Sequence, residues 1–320
     1  MKAAIYTNYG PPEIIRIEDI EKPVPNAHEV LVQVHCATLN RTDTGYRSAK
    51  YFVSRLFTGL IHPKRPVAGS EFAGKIVEIG AGVTQFSIGD KVFGFEDIRS
   101  GAHAEFMAVA ENGSIAKMPK NRTYQELAPA GEGATYALSV IKDAGLGENS
   151  KVLVYGASGA IGSAAVQILK HLGSEVTAVC GTKNLKLIKS LGADKIIDYQ
   201  KEDFTDTDTR YDFIFDAVGK SSYGTCKKLL TPQGSYYSTE LGKGAQNIFL
   251  ALWFWVTGSR KLIFPIPKIN QETMENIRRL IEINAFRPLV DRMYTLDEIV
   301  EATKYVETGQ KVGNVVIKIR

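Results

Sequence analysis

The sequence has 320 residues, which is more than one typical hydrophobic core accommodates and indicates two domains. Its hydrophobic content of 44% and charged content of 23% are typical of globular proteins, and its net charge of +4 comes from scattered basic residues, which argues against a nucleic-acid-binding surface. The three cysteines, Cys36, Cys180 and Cys226, are widely separated and indicate neither a disulfide framework nor a zinc ribbon.

The first third of the chain has the pattern of a β-domain. Residues 10–12, Gly-Pro-Pro, interrupt the N-terminus before an apolar core of signal-peptide length, so we expect a cytoplasmic protein. From the start of the sequence to about Pro119, short segments alternate apolar and polar residues between turns rich in Gly, Pro and Asn. This pattern predicts a compact antiparallel barrel or sandwich. The segments are KAAIYT, EVLVQVHCATL, GKIVEIG, DKVFGF and AEFMAV.

The sequence pattern changes from about Val152, where apolar strands alternate with helical segments. The strands VLVY, EVTAV, KIIDY and DFIFDAV predict a doubly wound parallel sheet. From about Pro267 the chain shows two helical segments, TMENIRRLIEINA and LDEIVEATKYVETG, and a final strand, NVVIKIR. Because this strand alternates as the first part does, we expect it to fold back onto the first domain.

One apolar run, IFLALWFWV at residues 248–256, is about half as long as a membrane span. We therefore expect no membrane span. The run favours a buried helix or a pocket lid, and an interfacial anchor is the alternative.

The stretch VLVYGASGAIGSAAVQIL places three glycines between a buried strand and a helix. Such a turn directs free backbone N–H groups and the positive end of a helix toward a ligand, which suits a pyrophosphate. Gly156 permits the tight turn, Gly159 lets a phosphate approach the backbone, and Gly162 lets the helix pack on the strand. The spacing is G-x-x-G-x-x-G rather than G-x-G-x-x-G, and a close helix–strand crossing without a ligand is the alternative.

The end of the next strand bears on which dinucleotide is bound. In an NAD site, an acidic residue at this position binds the ribose hydroxyls. Residues 180–184, CGTKN, carry no carboxylate. Lys183 as a point charge and Thr182 as a hydroxyl donor could instead meet a 2′-phosphate. The sequence therefore favours NADPH, with a solvated lysine at a helix start as the alternative.

Several motifs together resemble a known family. GSEFAGKIVEIG at residues 69–80, GAGVTQFSIGDKVFG at 80–94, the glycine turn and the ending GNVVIKI are similar to the medium-chain dehydrogenase/reductase superfamily, in its zinc-free quinone and enone oxidoreductase branch. The resemblance implies an α/β fold: a Rossmann doubly wound parallel sheet, residues 122–265, inserted into a GroES-like mostly-β domain, residues 1–121 plus 266–320.

The zinc ligands of related alcohol dehydrogenases are replaced in this chain. Where those enzymes carry C-H-T-D and G-H-E, this sequence reads NRTD and GSE, so that Asn40 stands for the cysteine and Ser70 for the histidine. These are poor substitutes in a site that needs about three protein ligands. The segment of residues 94–101 also lacks the four cysteines of the structural zinc lobe. We therefore expect no metal.

Without a metal to polarise an alcohol, conjugate reduction remains feasible. The expected activity is transfer of a hydride from NADPH to a quinone or to the C=C bond of an α,β-unsaturated carbonyl, which is a small apolar electrophilic substrate. Two alternatives stay open: an NADPH-binding sensor or partner-docking protein with little catalysis, and a zinc-type alcohol dehydrogenase with an unusual site.

Two residues are candidates for catalysis. The resemblance places Asn40 beside the nicotinamide, as an orienting or oxyanion-facing amide, unless it only closes a turn. Tyr46 could donate its phenol to the substrate oxygen or relay a proton, unless it packs against the next loop.

The resemblance also implies the cofactor contacts. It places Thr135 at the nicotinamide side, Tyr199 near the adenosine phosphate and residues 216–219 in a further cofactor-side loop, in which Asp216 could serve only as a cap. The candidate cofactor-binding residues are Thr135, Gly156, Ser158, Gly159, Ala160, Ile161, Gly162, Thr182, Lys183, Tyr199 and Val218.

The substrate wall and the oligomer are least constrained by the sequence. Residues 47–66 could cover the site with Tyr51, Phe52 and Phe57, which could equally be core. Trp253 and Trp255 could close the other side or form a dimer contact. The segment GSRKLIFPIP resembles family strands used in dimerisation, so the resemblance implies a homodimer.

Overall fold

The chain forms two compact units. The first combines Met1–Glu132 with Ile269–Arg320, and the second is Gly133–Lys268. The computed structural model describes residues 1–49, 55–97, 101–242, 245–263 and 266–320, apart from the side chains of Leu56 and Phe57.

Every strand that the sequence predicts is present to within a few residues. The sequence pattern does not predict four further strands that are short, exposed or polar, which begin at Arg16, Ile115, Leu230 and Val290. The strands are β1 (Lys2–Ile5), β2 (Arg16–Asp19), β3 (Glu29–Leu39), β4 (Glu71–Ile79), β5 (Lys91–Phe95), β6 (Phe106–Ala110), β7 (Ile115–Lys117), β8 (Lys151–Tyr155), β9 (Glu175–Cys180), β10 (Lys195–Asp198), β11 (Tyr211–Asp216), β12 (Leu230–Ser238), β13 (Val290–Thr295) and β14 (Asn314–Lys318).

The helices include the two predicted near the C-terminus and the one that follows the glycine turn. They are α1 (Arg41–Ser48), α2 (Arg55–Thr58), α3 (Tyr124–Leu127), α4 (Glu132–Ala144), α5 (Ala160–His171), α6 (Leu185–Ser190), α7 (Tyr223–Cys226), α8 (Gln246–Val256), α9 (Gln271–Glu282) and α10 (Ile299–Glu307).

The first unit is built on a mostly antiparallel sheet. Its strand order is β13-β14-β3-β4-β5-β7, and β6 pairs with β3. Alternate residues of β3, among them Val30, Val32 and Val34, are fully buried in the core that this sheet covers. Strand β14 pairs antiparallel with β3, with Val315 opposite Leu39. The predicted return of the C-terminus to the first domain is therefore confirmed.

The second unit contains a parallel sheet in the order β10-β9-β8-β11-β12. In chain order this is 3-2-1-4-5, so the direction of winding reverses between β8 and β11. The predicted doubly wound sheet is confirmed. Ligands of such sheets bind beyond the carboxyl ends of the strands at the reversal point, which here follows Tyr155 and Asp216.

Helix α8 contains the apolar run that the sequence analysis singled out. One face packs on the core of the second unit through Leu250, Ala251 and Phe254. The expectation of a buried helix is wrong for this chain, because Trp253 is 64% exposed and Trp255 is 78% exposed. No helix in the described part of the chain is long and apolar enough to cross a membrane.

Candidate functional site

The glycine turn joins β8 to α5 with little room for side chains. Gly156 has φ +79°, and a Cβ there would lie 2.5 Å from Cγ1 of Val218. A Cβ on Gly162 would lie 2.3 Å from the carbonyl oxygen of Gly156. The predicted roles of these two glycines, a tight turn and close helix packing, are therefore confirmed. Gly159 differs, because a Cβ there would contact only the carbonyl oxygen of Gly156, at 3.6 Å, and would otherwise face open space.

The first turn of α5 faces this open space. Ser158, Gly159, Ala160 and Ile161 are all partly exposed. The N–H groups that begin a helix have no carbonyl partner within it, and they carry the positive end of the helix dipole. Gly159 precedes the helix with extended backbone and leaves the approach to these groups clear. The turn thus fits a phosphate group.

Thr135 lies on α4, near the start of α5. A Cβ on Gly133 would lie 2.8 Å from the carbonyl oxygen of Ala160, so the two helix beginnings approach closely. Thr135 is fully buried, and its Oγ1 has no hydrogen-bond partner among the described residues. A buried hydroxyl without a partner is uncommon in proteins and fits a site whose ligand supplies the missing bond.

Asp216 ends β11 and organises the loop that contains Val218. Its carboxylate accepts hydrogen bonds from the N–H groups of Val218, Gly219 and Ser221, at 3.2, 2.8 and 2.9 Å, and from the Tyr236 hydroxyl at 3.0 Å. Burial raises its pKa, and these donors oppose the rise. Asp216 therefore acts as a cap, and the side chain of Val218 covers Gly156.

The end of β9 holds the residues expected near a 2′-phosphate. Lys183 is exposed in the short turn that follows. Thr182 Oγ1 donates to Asp198 Oδ2 at 2.6 Å, so its proton is engaged within the protein. Asp198 is the last residue of the neighbouring β10. Its carboxylate lies near the end of β9, although the local sequence CGTKN itself contains no acidic residue. Its pKa is lowered, mainly by the Thr182 hydroxyl.

Tyr199 follows β10 and is 55% exposed. A Cβ on Gly181 would lie 3.3 Å from the Tyr199 hydroxyl, so the tyrosine lies over the glycine. Tyr199 also lines an open groove with Tyr155 and Phe204, whose rings are 4.9 Å apart. The exposed phenol is accessible to a ligand along this edge of the sheet.

In the first unit, Asn40 belongs to a buried polar network. It is 2% exposed and lies between the end of β3 and the start of α1. Its Nδ2 donates to Glu71 Oε2 at 2.6 Å and to Thr38 Oγ1 at 3.1 Å. Glu71 is fully buried, and burial raises its pKa to about 7 against the opposing hydrogen bonds from Thr38, Glu132 and Asn40.

The two ends of the Asn40 amide have different environments. The nitrogen is engaged, whereas the buried Oδ1 faces only the backbone N–H of Asp43, in a capping-box arrangement too loose to form a full hydrogen bond. The atom that remains available to a ligand is therefore a hydrogen-bond acceptor. This arrangement suits an orienting role, because an oxyanion requires a donor.

Asp43 and Asp97 flank the candidate catalytic residues. Asp43 Oδ2 accepts from the backbone N–H of Asn40 at 2.8 Å, and burial raises its pKa to about 6. Tyr46 donates its hydroxyl to Asp97 Oδ1 at 3.0 Å. Burial raises the pKa of Asp97 to about 6. The pKa of Tyr46 is raised first by burial and second by the negative charge of Asp97. The phenol is therefore a neutral donor.

Glu132 and Lys311 extend the same network. Glu132 is 5% exposed and accepts a hydrogen bond from the Thr42 hydroxyl. Its pKa is raised by burial and by the charge of Glu71. Burial lowers the pKa of Lys311, against the opposing charges of Glu132 and Glu71, and its ammonium donates to the Gly313 carbonyl at 2.6 Å. Acidic groups thus predominate in the network.

The positions that carry zinc ligands in related enzymes hold no such ligands here. The Asn40 amide nitrogen faces Glu71, and Ser70 is 1% exposed. His103 is buried, and its Nε2 donates to the Thr38 carbonyl at 2.7 Å, while burial lowers its pKa to about 4. Within the described ranges, no three His, Cys, Asp or Glu side chains are placed to hold a metal ion.

The expected substrate wall is only partly described. Tyr51, Phe52 and the side chain of Phe57 lie outside the described residues. Trp253 and Trp255 are both exposed on α8.

The carboxylates around Asn40 are not predicted from the sequence. The sequence contains a signal for Glu71, because this acidic residue begins the strand EFAGKIVEI directly before the buried residues Phe72, Ala73 and Gly74. Asp43 carries another, because it follows Asn40 by three residues, the spacing of a helix cap. Glu132 has no comparable signal, since its partner Thr42 is distant in sequence.

Comparisons with known proteins cover nearly the whole chain. Residues 26–120 match the model of the alcohol dehydrogenase GroES-like domain, which confirms the expected GroES-like fold. Residues 191–317 match the model of a zinc-binding dehydrogenase.

Individual relatives are oxidoreductases. The 2-methylene-furan-3-one reductase of Solanum lycopersicum is 30% identical over 99% of this chain and 79% of that protein. The chloroplastic NADPH-dependent alkenal/one oxidoreductase of Arabidopsis thaliana is 29% identical over the same shares. Among solved structures, the quinone oxidoreductase from Coxiella burnetii matches with a TM-score of 0.89 and 26% identity, over 100% of this chain and 99% of that one.

Proposed function

The chain belongs to the quinone oxidoreductase branch of the medium-chain dehydrogenase/reductase superfamily, and on this basis we propose that it is a metal-free, NADPH-dependent reductase of quinones or α,β-unsaturated carbonyls. A combination of three features carries the proposal. The chain keeps the glycine turn and the unpartnered Thr135 hydroxyl, while Asn40 occupies a zinc-ligand position with its amide nitrogen engaged by Glu71.

The cofactor would be held by the second unit. The N–H groups at the start of α5 would hold its pyrophosphate, with Gly159 leaving space for it. Thr135 would supply its free hydroxyl to the nicotinamide side, and Tyr199 would lie beside the adenosine phosphate. Lys183, exposed after β9, would pair with the 2′-phosphate. The name of the Arabidopsis relative, which states NADPH dependence, supports this choice.

NADPH, when bound, supplies a hydride. The β-carbon of the acceptor gains it, the electron pair of the C=C bond moves toward the carbonyl oxygen, and one proton completes the reduction. The protein must therefore stabilise negative charge on that oxygen. Tyr46 is suited to this task because its neutral hydroxyl can exchange its bond to Asp97 for one to the substrate. One such donor supplies on the order of 3 kcal/mol.

A turnover assay tests the proposal. Purified protein treated with a chelator would be mixed with NADPH or NADH and a panel of quinones, enones, aldehydes and alcohols. Consumption of NADPH with a quinone or enone after chelation supports the metal-free reductase. NADPH binding without turnover supports the sensor, and activity only with alcohols and added zinc supports an alcohol dehydrogenase.

We extend the proposal to a homodimer formed through α8. Phe249, Trp253 and Trp255 are 67%, 64% and 78% exposed on this helix. Aromatic side chains bury about 150–250 Å² each, so the three together present a large part of the roughly 800 Å² per partner of a standard interface. Light scattering should give twice the chain mass, and Trp255→Asp should give the monomer. A monomeric parent protein would contradict this extension.

A further inference from the structure

We propose that the first unit carries a binding site for a small, doubly charged oxyanion, such as sulfate or a phosphate ester, formed by Lys75, Lys91 and His35 on the outer face of its sheet. All three residues belong to the first unit, whereas the glycine turn belongs to the second. The site does not depend on the proposed reductase activity.

Lys75 and Lys91 lie directly opposite each other on neighbouring strands. They are an aligned pair in the antiparallel register of β4 and β5. Their neighbours Ile76 and Val92 belong to the hydrophobic core, so both lysines project from the other face of the sheet, where they are exposed. Like charges in this arrangement repel each other. Neither ammonium group forms an ion pair within the described part of the chain, so the repulsion is not offset there.

A β-bulge brings His35 close to the lysine pair. The register of β3 against β4 shifts between Val34 and Cys36, so His35 is an extra residue of β3 without a partner on β4. Its ring stacks on the ring of Tyr124 in α3, with centroids 4.2 Å and planes 9° apart. Lys91 Nζ lies 5.6 Å from the centroid of the same tyrosine ring. Tyr124 therefore joins His35 and Lys91 into one cluster.

The charges that act on His35 are positive. Burial lowers its pKa first, and the charges of Arg320, Lys75 and Lys91 lower it further. Arg320 is engaged elsewhere, because its guanidinium pairs with Glu105 at 3.3 Å. The two lysines have no such partner among the described residues, and they favour the neutral form of the half-buried imidazole. A bound anion would oppose this effect and raise the pKa of His35.

The chemistry of the cluster selects a small oxyanion with two charges. Each ammonium group supplies three hydrogen-bond donors, and the imidazole supplies a ring N–H. A tetrahedral dianion has enough acceptor oxygens to bind both ammonium groups at once, in charge-assisted hydrogen bonds, and it removes their mutual repulsion. A monovalent anion such as chloride neutralises one of the two charges only.

Nuclear magnetic resonance of the histidine ring signals tests the site in the nucleotide-free protein. Sulfate is the probe, because it remains a dianion over the pH range in which histidine titrates. The His35 signal, identified by its loss in His35→Gln, should shift to saturation with a dissociation constant on the order of 1 mM. The pKa of His35 should rise when sulfate is bound. Sodium chloride at equal ionic strength should cause a smaller change that does not saturate.

Variants of the lysine pair separate binding from general screening. Lys75→Gln and Lys91→Gln should each weaken sulfate binding about three- to fivefold, which is the loss expected for one exposed ion pair. Lys75→Glu should abolish saturable binding without lowering Tm, because a carboxylate opposite Lys91 replaces the repulsion by an attraction. The matched control is Lys2→Gln, since Lys2 is also an exposed strand lysine of the first unit but pairs with Asp297 at 2.9 Å. It should bind sulfate with the affinity of the parent protein.

The outcomes are distinct. Equal effects of sulfate and sodium chloride at matched ionic strength would overturn the site, and so would unchanged sulfate affinity in both glutamine variants. Binding to vesicles of anionic phospholipid without binding of free sulfate would also overturn it, because the lysine pair would then be a membrane contact. A parent protein that binds sulfate at His35 but reduces no acceptor would refute the proposed function and leave this site intact.

Discussion

Gly159→Ala and Gly162→Ala should separate cofactor binding from stability at the same turn. Gly159 has φ −78° and ψ 175°, which any L-residue adopts, and its Cβ would meet its nearest atom at 3.6 Å. Alanine is a poorer helix cap than glycine, but it lowers the entropy of the unfolded chain, and each effect is worth about 0.5–1 kcal/mol. Because they oppose each other, Tm should stay within about 3 °C of the parent value.

The added methyl group would nevertheless occupy the space that the proposal gives to the pyrophosphate. We expect Gly159→Ala to weaken NADPH binding by at least about tenfold, which corresponds to roughly 1.4 kcal/mol. Isothermal titration calorimetry on the purified variant measures this directly. NADPH binding with the parent affinity would refute the placement of a phosphate at this turn.

Gly162→Ala is the matched structural control. Its Cβ would lie 2.3 Å from the Gly156 carbonyl oxygen and 2.9 Å from Ala157 Cα, so the backbone has to move. Overpacking of this kind costs about 1–3 kcal/mol, and each kcal/mol lowers Tm by about 2–4 °C. Calorimetry of the cofactor-free protein should therefore show a clear fall in Tm for Gly162→Ala and little change for Gly159→Ala. The reverse order would contradict the packing described for the two residues.

Three further predictions concern single side chains. Lys183→Ala should weaken NADPH binding by about tenfold and NADH binding by less than about twofold, with Lys186→Ala as the control. Equal losses of affinity for both nucleotides would show that Lys183 does not bind the 2′-phosphate. Thr135→Val should leave Tm unchanged or raised, because the Thr135 hydroxyl makes no hydrogen bond to the residues that the structure describes. The same variant should lower kcat/KM for NADPH by about tenfold, and full activity would show that the hydroxyl contacts no ligand. Burial raises the pKa of Asp43 from 3.8 to about 6, so the folded protein holds this proton more tightly than the unfolded chain, and Tm should fall as pH rises from about 4 through 6. Asp43→Asn should flatten that slope, whereas an unchanged pH profile would show that Asp43 does not titrate in this range.

The sequence predicts those features that depend on local pattern. Apolar strands followed by helices indicate the parallel sheet, and the three glycines of β8–α5 mark its turn, because strand burial and backbone conformation are set by neighbouring residues. The contact of Gly162 with Gly156 follows from the same short segment.

Features that depend on strand register were not predictable in this way. Glu71 meets Asn40 only because β4 pairs with β3, which brings residues 31 positions apart to 2.6 Å. Asp198 reaches Thr182 only because β10 lies beside β9. The apolar run of α8 favours a buried helix or a pocket lid, but apolar composition does not specify which partner covers a helix.

The direct test of the central claim is to follow the transferred hydrogen. NADPH with deuterium at both C4 positions of the dihydronicotinamide would be incubated with chelator-treated protein and an enone, and the enone and any product would be analysed by nuclear magnetic resonance. The metal-free conjugate reductase predicts one deuterium on the former β-carbon. Deuterium on the carbinol carbon would identify a carbonyl reductase instead, and an unlabelled enone recovered in the presence of bound NADPH would contradict the proposed activity.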